Sequence, residues 1–399
     1  MTRKGVWSIQ DIRDKVLEDV WEARTFIWNW GINNQGQLGQ NSLVNYSSPV
    51  QVPGADWCAE QPTSGVYCQW QLGFKKDGTA WTWGLNSNGQ LGVNDKTNRS
   101  SPVQIGTDTT WSTTNVRERA QFTNNACWVI KADNTLWAWG SDGRGALAQN
   151  TEDVDRSSPI QIPGSWSQAG DYSAINTSGE LFTWGYNRLG VLGHGNRTDC
   201  SSPVQVPGTW STMHTGNGIY SMIGVKSNGT LWTWGYNSAG QLGLNERHAH
   251  NNTPAAHNSP RQVGSGTDWA GTKGSVSVSY NNGSAIKTDG TLWMFGANNN
   301  GQLGQNSTVY YSSPVQIPGT NWKQVTGDYF AQCFGLKTDG TIWAWGNGTT
   351  GVPGNSNTIS YSSPIQIGNG NSFTSIASKN KGGTATQDDF TPQQARIYY

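Results

Sequence analysis

One short segment, W-x-W-G or a close variant, recurs seven times in 399 residues, ending at Gly31, Gly84, Gly140, Gly185, Gly235, Gly296 and Gly346. A chain that repeats itself at spacings of 45 to 61 residues builds a ring or stack of like units, each burying its apolar face against the next. A second marker, S-S-P or N-S-P, follows each copy at Pro49, Pro102, Pro159, Pro203, Pro260, Pro314 and Pro364. A third is an aromatic residue a few positions later: Trp57, Trp111, Trp166, Trp210, Trp269, Trp322 and Phe373. These slots hold 18 of the 22 tryptophans, so the aromatic richness reads as core packing. Trp7, Trp21, Trp70 and Trp128 fall outside them and are the expected aromatic contact surface.

Each unit reads as four short strands. The aromatic opens the first, and the second ends at a turn such as Asp77-Gly78, Asp289-Gly290 or Asp339-Gly340, a strong hairpin signal between apolar runs. The third is the W-x-W-G run with period-two alternation. The fourth starts at the proline of Pro-Val-Gln-Ile, where an edge position loses no ladder hydrogen bond. Between the third and fourth lies N-x-x-G-Q-L-G, whole at Asn33–Gly39, Asn86–Gly92, Asn237–Gly243 and Asn298–Gly304.

At these residues the chain resembles the regulator of chromosome condensation repeat family, over roughly residues 26 to 390. The resemblance implies an all-β fold, a single seven-bladed β-propeller. Departures are local: Phe182 and Phe295 each replace a tryptophan, and Ala146-Leu147-Ala148 and Val352-Pro353-Gly354 replace Gln-Leu-Gly. The ends predict ring closure, since Phe26–Trp30 is a third strand with nothing before it and the segment after Phe373 ends without a W-x-W-G. The two partial units are expected to pair as one blade, covering exposed edges.

Lysine plus arginine equals aspartate plus glutamate at 26 each, so no basic excess is available for phosphates and nucleic-acid binding is disfavoured. The start lacks a secretory signal pattern, and no apolar run reaches membrane-spanning length. Cysteines at 58, 68, 127, 200 and 333 form no C-x-x-C pair, and Cys127 and Cys333 share one repeat slot with Met222 and Tyr172, which reads as core. No G-x-S-x-G, H-E-x-x-H or P-loop occurs, and the recurring aspartates sit in turns. The sequence therefore predicts no enzyme, no catalytic residue, no cofactor and no metal. His248, His250 and His257, in the longest insertion, are candidate partner contacts on a loop; metal binding there lacks an acidic partner.

Residues 1–25 stand outside the repeat as an N-terminal docking segment, with 26–399 as the propeller. Ser8 followed by Asp11 resembles a capping box, and a helix from about Ser8 to Glu22 is expected. Trp7 precedes it, and Ile9, Ile12, Val16, Leu17, Val20 and Trp21 fall on one face at helical spacing. These seven residues are the candidate docking surface. The run Lys4-Gly5-Val6-Trp7-Ser8-Ile9-Gln10-Asp11-Ile12-Arg13-Asp14-Lys15 looks like the opening of tail-associated and other virion proteins of marine and cyanobacterial tailed phages. That likeness implies a multi-copy virion part, tail-associated or capsid-decorating, assembled in the bacterial host cytoplasm. Its partners would be other virion proteins and a host surface receptor or glycan. The alternatives are a soluble propeller that binds carbohydrate or inhibits an enzyme, and, last, an exchange-factor-like regulator of a small GTPase such as the eukaryotic repeat family contains. The chromatin binding of the latter needs basic surfaces that this chain lacks.

Overall fold

The computed structural model describes residues 26–58, 63–64, 68–216, 220–247, 256–327, 331–348, 359–367, 373–379 and 382–387. It is an all-β propeller of sheets built from chain-consecutive antiparallel strands, with one addition, the two-residue strand Thr63–Ser64, which pairs in parallel with Ala120–Phe122. The expected helix in residues 1–25, with its docking face, lies outside the described residues.

A full unit is seen in the sheet of Trp322–Gly327, Gln332–Lys337, Ile342–Gly346 and Tyr361–Ile367. Four-stranded order recurs in the preceding units. Two of those are joined through Cys200–Thr215, one strand of 16 residues that closes one sheet and opens the next. Elsewhere the first strand shrinks to a single bridge, as at Trp57 with Lys75. First strands of neighbouring sheets pack on one another, so they form the inner wall of the propeller. Fourth strands are the outer edges.

The proline is not where the fourth strand starts. That strand begins three residues earlier, as in Arg156–Ile162 and Tyr311–Gln316, and its register against the third strand shifts between Arg156 and Ile160. The S-S-P triplet sits in this irregularity at a sheet edge, where a residue without an N–H breaks no ladder bond.

The apolar core lies between sheets. In the third strand the first aromatic of W-x-W-G is half-buried and the second fully buried, as in Trp137 and Trp139. Trp83, Trp139, Trp184, Trp234 and Trp345 each donate their indole N–H to a carbonyl of the preceding unit's loop, at 2.6 to 3.0 Å. Second strands are sandwiched and buried on both faces, as in Trp70–Phe74 and Ala126–Ile130. Trp70 and Trp128 are therefore core residues and not a contact surface: both are fully buried, and they donate to Thr123 O at 2.9 Å and Ala146 O at 3.2 Å. Cys127, Cys333 and Met222 are buried as expected, whereas Tyr172 is half-buried.

The N-x-x-G-Q-L-G loop is the joint between units. Its buried Asn accepts at Oδ1 from the leucine amide five residues on, at 2.9 Å for Asn33, Asn86, Asn187 and Asn298. Its amide group donates to a carbonyl nine residues on, such as Ser42 O for Asn33 and Ser307 O for Asn298. The loop then donates a backbone N–H to the S-S-P region of the following unit. The pairs are Asn41 to Ser100, Asn94 to Ser157, Asn150 to Ser201, Gly195 to Asn258, Asn245 to Ser312 and Asn306 to Ser362, all at 2.6 to 2.8 Å.

One departure explains itself in this frame. Asp142 stands where five other loops have Asn, and a carboxylate has no N–H for the carbonyl nine residues on. Thr151, at that offset, supplies a hydroxyl that donates to Asp142 Oδ2 at 2.7 Å. Thr151→Ala is expected to cost about 1–2 kcal/mol, because it strips a donor from a buried acceptor. In an Asp142→Asn background the loss should shrink, which a double-mutant cycle on urea unfolding measures.

The first and last described strands pack on the propeller. Ile27 and Val52 cluster with Trp57 and Trp83, and Ile376 clusters with Phe334 and Leu336. Among the described residues Trp28–Gly31 pairs with Tyr46–Gln51 and Phe373–Lys379 pairs with Gly382–Gln387, and no ladder joins these two sheets.

Candidate interaction sites

The turn of most second-to-third-strand hairpins builds a small constellation that repeats. In the unit of Asp133, the carboxylate accepts from Thr135 N at 3.0 Å and Thr135 Oγ1 at 2.7 Å. The threonine oxygen in turn accepts from Trp137 Nε1 at 2.9 Å. The same chain of bonds recurs at Asp77, Asp289 and Asp339. The threonine hydroxyl and amide hold the carboxylates of Asp133, Asp289 and Asp339 below the usual range. Those aspartates are thus committed to turns, as the sequence suggests.

What sequence reasoning missed is the lysine six residues ahead of the first aromatic. Lys75, Lys131, Lys226, Lys287 and Lys337 each place the ammonium over two tryptophans, one from the first strand and one from the third, at 4.0 to 5.4 Å from the ring centroids. Cation–π attraction at a half-buried site favours this arrangement. A lysine recurring at a fixed offset was the available signal.

A second constellation lies where the inner strands converge and has no repeat signature. Asp171 and His214 both feel the charge of Lys273, which also interacts with Glu118 of the short helix Val116–Arg119. Lys273 Nζ donates to Ala169 O at 3.2 Å, and it lines a cavity of about 390 Å³ with Glu118, Gln168 and Ser211. Burial pushes the Asp171 carboxyl up to about 6, against a Gln121 hydrogen bond and the Lys273 charge. Burial lowers Lys273 to about 8, opposed by Glu118 and Asp171. His214 is lowered to about 4 by burial and by Lys273, and its Nδ1 accepts from Val278 N at 3.3 Å, which fixes the neutral ring with the proton on Nε2.

The two acid-range shifts act in opposite directions. A histidine whose folded pKa is depressed leaves the unfolded chain binding more protons between about 4 and 6.5, so its contribution to stability rises with pH there. Asp171, raised to about 6, favours the folded state at low pH and loses that contribution as pH climbs through 6. The stability difference between the wild type and His214→Gln should therefore grow in the wild type's favour from pH 4 to 6.5, by on the order of 2 kcal/mol. Urea unfolding across that range measures it, and a flat difference would contradict the assignment.

The insertion histidines divide. His248 and His250 lie outside the described residues. His257 sits in the edge strand Ala256–Gln262, half-buried, with Nε2 against the Glu246 carboxylate. The expectation that this loop lacks an acidic partner is corrected by that pair. Among the described residues no group of three or more His, Cys, Asp or Glu side chains is placed to hold a metal ion. No described helix is long and apolar enough to cross a membrane.

Comparison with known proteins follows the repeat. The model of the regulator of chromosome condensation (RCC1) repeat matches residues 26–60, 77–116, 178–218, 228–272 and 289–329, just over half of the chain. The ultraviolet-B receptor UVR8 of Arabidopsis thaliana is 26% identical over 185 residues, covering 43% of this chain and 40% of that protein. The human E3 ubiquitin-protein ligase HERC2 is 26% identical over 184 residues, 43% of this chain and 4% of that protein. The matched segments thus span less than half the length of these relatives. Among solved structures, Prp20p of Saccharomyces cerevisiae, described with its binding to Gsp1p and histones, superposes with a TM-score of 0.70 at 16% identity, covering 92% of each chain. Human WBSCR16 does so with a TM-score of 0.67 at 17% identity, covering 90% of this chain and 97% of that one.

Proposed function

The chain belongs to the regulator of chromosome condensation repeat family, and from that premise we propose that it is a non-catalytic, protein-binding propeller of seven blades. Its seventh blade would combine Phe373–Lys379 and Gly382–Gln387 with Trp28–Gly31 and Tyr46–Gln51. The observation that carries the binding role is how the polar side chains are used. The recurring Asn, Asp, Thr and Lys residues are engaged in joints, turns and ring contacts, which leaves contact with other molecules to positions that do not repeat.

The assembly we propose is a tailed-phage virion, tail-associated or capsid-decorating. Its support is the likeness of Lys4–Lys15 to the opening of virion proteins. In this reading Trp7, Ile9, Ile12, Val16, Leu17, Val20 and Trp21 dock the propeller on another virion protein, and the ring faces a host receptor or glycan. Mass spectrometry of purified, crosslinked particles tests it. Several copies per particle, with crosslinks from Lys4 or Lys15 to another virion protein, are expected. Absence from purified particles overturns the virion role, and crosslinks confined to the ring overturn the docking role alone.

A further inference from the structure

Five units fill the notch between their two ring positions with their own lysine; the unit of Trp166 does not. Its two rings, Trp166 and Phe182, meet edge to face at 5.4 Å and 81°. Trp269 with Trp293 and Trp322 with Trp343, where Lys287 and Lys337 sit, meet at similar angles of 75° and 72° but stand wider, at 6.4 and 6.2 Å. At the lysine offset stands Asn176, and where the other turns have threonine stands Glu180. Relative to its sister units, this one has lost the cation, and its carboxylate stands at Glu180 instead of at the aspartate position of most sister turns, which is Ser178 here.

The vacated space is open. A cavity of about 490 Å³ is lined by Trp166, Phe182, Asn176 and Gly164. Gly164 marks the equivalence: the glycines at its position in other units, Gly54, Gly208 and Gly319, lie beside the lysine Nζ of their own units. Gly164 lies instead close against the Trp166 indole, so the accessible part of the notch is its Phe182 side. Glu180 is tied to the lining residue Asn176, its Oε2 accepting from Asn176 Nδ2 at 2.6 Å, and its Oε1 accepts from Gln205 Nε2 at 3.1 Å. Each carboxylate oxygen retains a further lone pair.

We propose that this notch binds an organic ammonium group, the end of a lysine side chain presented by a partner protein. The Phe182 ring face and the Glu180 carboxylate offer in trans the kind of aromatic and anionic surroundings that favour a lysine ammonium. The proposal rests on the protein-binding reading only for the source of the lysine; the notch itself is testable without a partner.

The full chain is titrated with Nα-acetyl-lysine methylamide and, in parallel, with the norleucine analogue, followed by ligand-observed NMR saturation transfer. The lysine derivative should bind at millimolar concentration, about tenfold more tightly than its neutral analogue. N176K should abolish binding by filling the notch from within, and the double variant N176K/E180T restores the lysine and threonine of the sister units, so it should fold with an unchanged or raised melting midpoint. E180Q, which keeps the shape, should weaken binding several-fold. No saturable binding, equal binding of the norleucine analogue, or affinity unchanged in folded N176K would overturn the site. Binding of the free derivative without lysine-dependent capture of any virion protein would leave the notch standing and remove the partner reading.

Discussion

Trp139→Ala is expected to unfold at markedly lower denaturant, losing about 3–5 kcal/mol of stability. The ring is fully buried, packs edge to face on Trp111 at 5.9 Å, and donates to Gln90 O of the preceding unit at 2.8 Å. Truncation therefore removes three things together: an apolar volume between two sheets, an aromatic pair, and the donor for a buried carbonyl. Trp137→Ala, two residues away, is the matched control. That ring is half-buried beneath Lys131, and its loss should cost roughly half as much or less, since much of its surface already meets water. Equal losses for the two would show that position in the strand, not burial against the next unit, sets their contribution.

Gly301→Ala should be nearly as damaging although it adds one methyl group to a loop. The residue has φ of +76°, and a Cβ there would lie 2.5 Å from Ser362 Cα and 3.0 Å from Ser362 N. Both neighbours are backbone of the following unit, so no rotamer change relieves the contact. The loop must retreat, and with it the bond from Asn306 N to Ser362 O at 2.7 Å. The left-handed backbone alone costs an alanine about 1–2 kcal/mol, and the broken joint adds to that. Gly106→Ala isolates the first contribution, because its φ is +57° and nothing lies within 4 Å of the added carbon. Thermal melts of the two variants should differ clearly, and coincident melts would remove the joint from the explanation.

The fold was legible where the determinants are local. Asp-Gly turns, alternating W-x-W runs and the S-S-P marker each specify a strand or turn within a few residues. What was not legible depends on neighbours in space. Trp70 and Trp128 read as surplus because they break the three-marker rhythm, yet their strands are covered on both faces by adjoining sheets. The proline's place inside its strand is a matter of ladder register, and register does not show in one strand's sequence. The Asp171, His214 and Lys273 constellation is assembled from three different inner strands or loops and carries no spacing at all. The lysine notch is the intermediate case. Its recurrence was in the sequence, but only the ring geometry gives the exception at Asn176 its meaning.

Cys200–Thr215 runs without a break from the edge of one sheet to the inner wall of the next. Two blades stitched by one strand cannot open separately, because peeling the edge from Glu180–Gly185 tugs on the segment paired with Ser221–Lys226. These two sheets should therefore exchange their amide hydrogens as one cooperative block. The notch at Trp166 belongs to the first of them, so an occupant there would slow exchange in a blade it never touches.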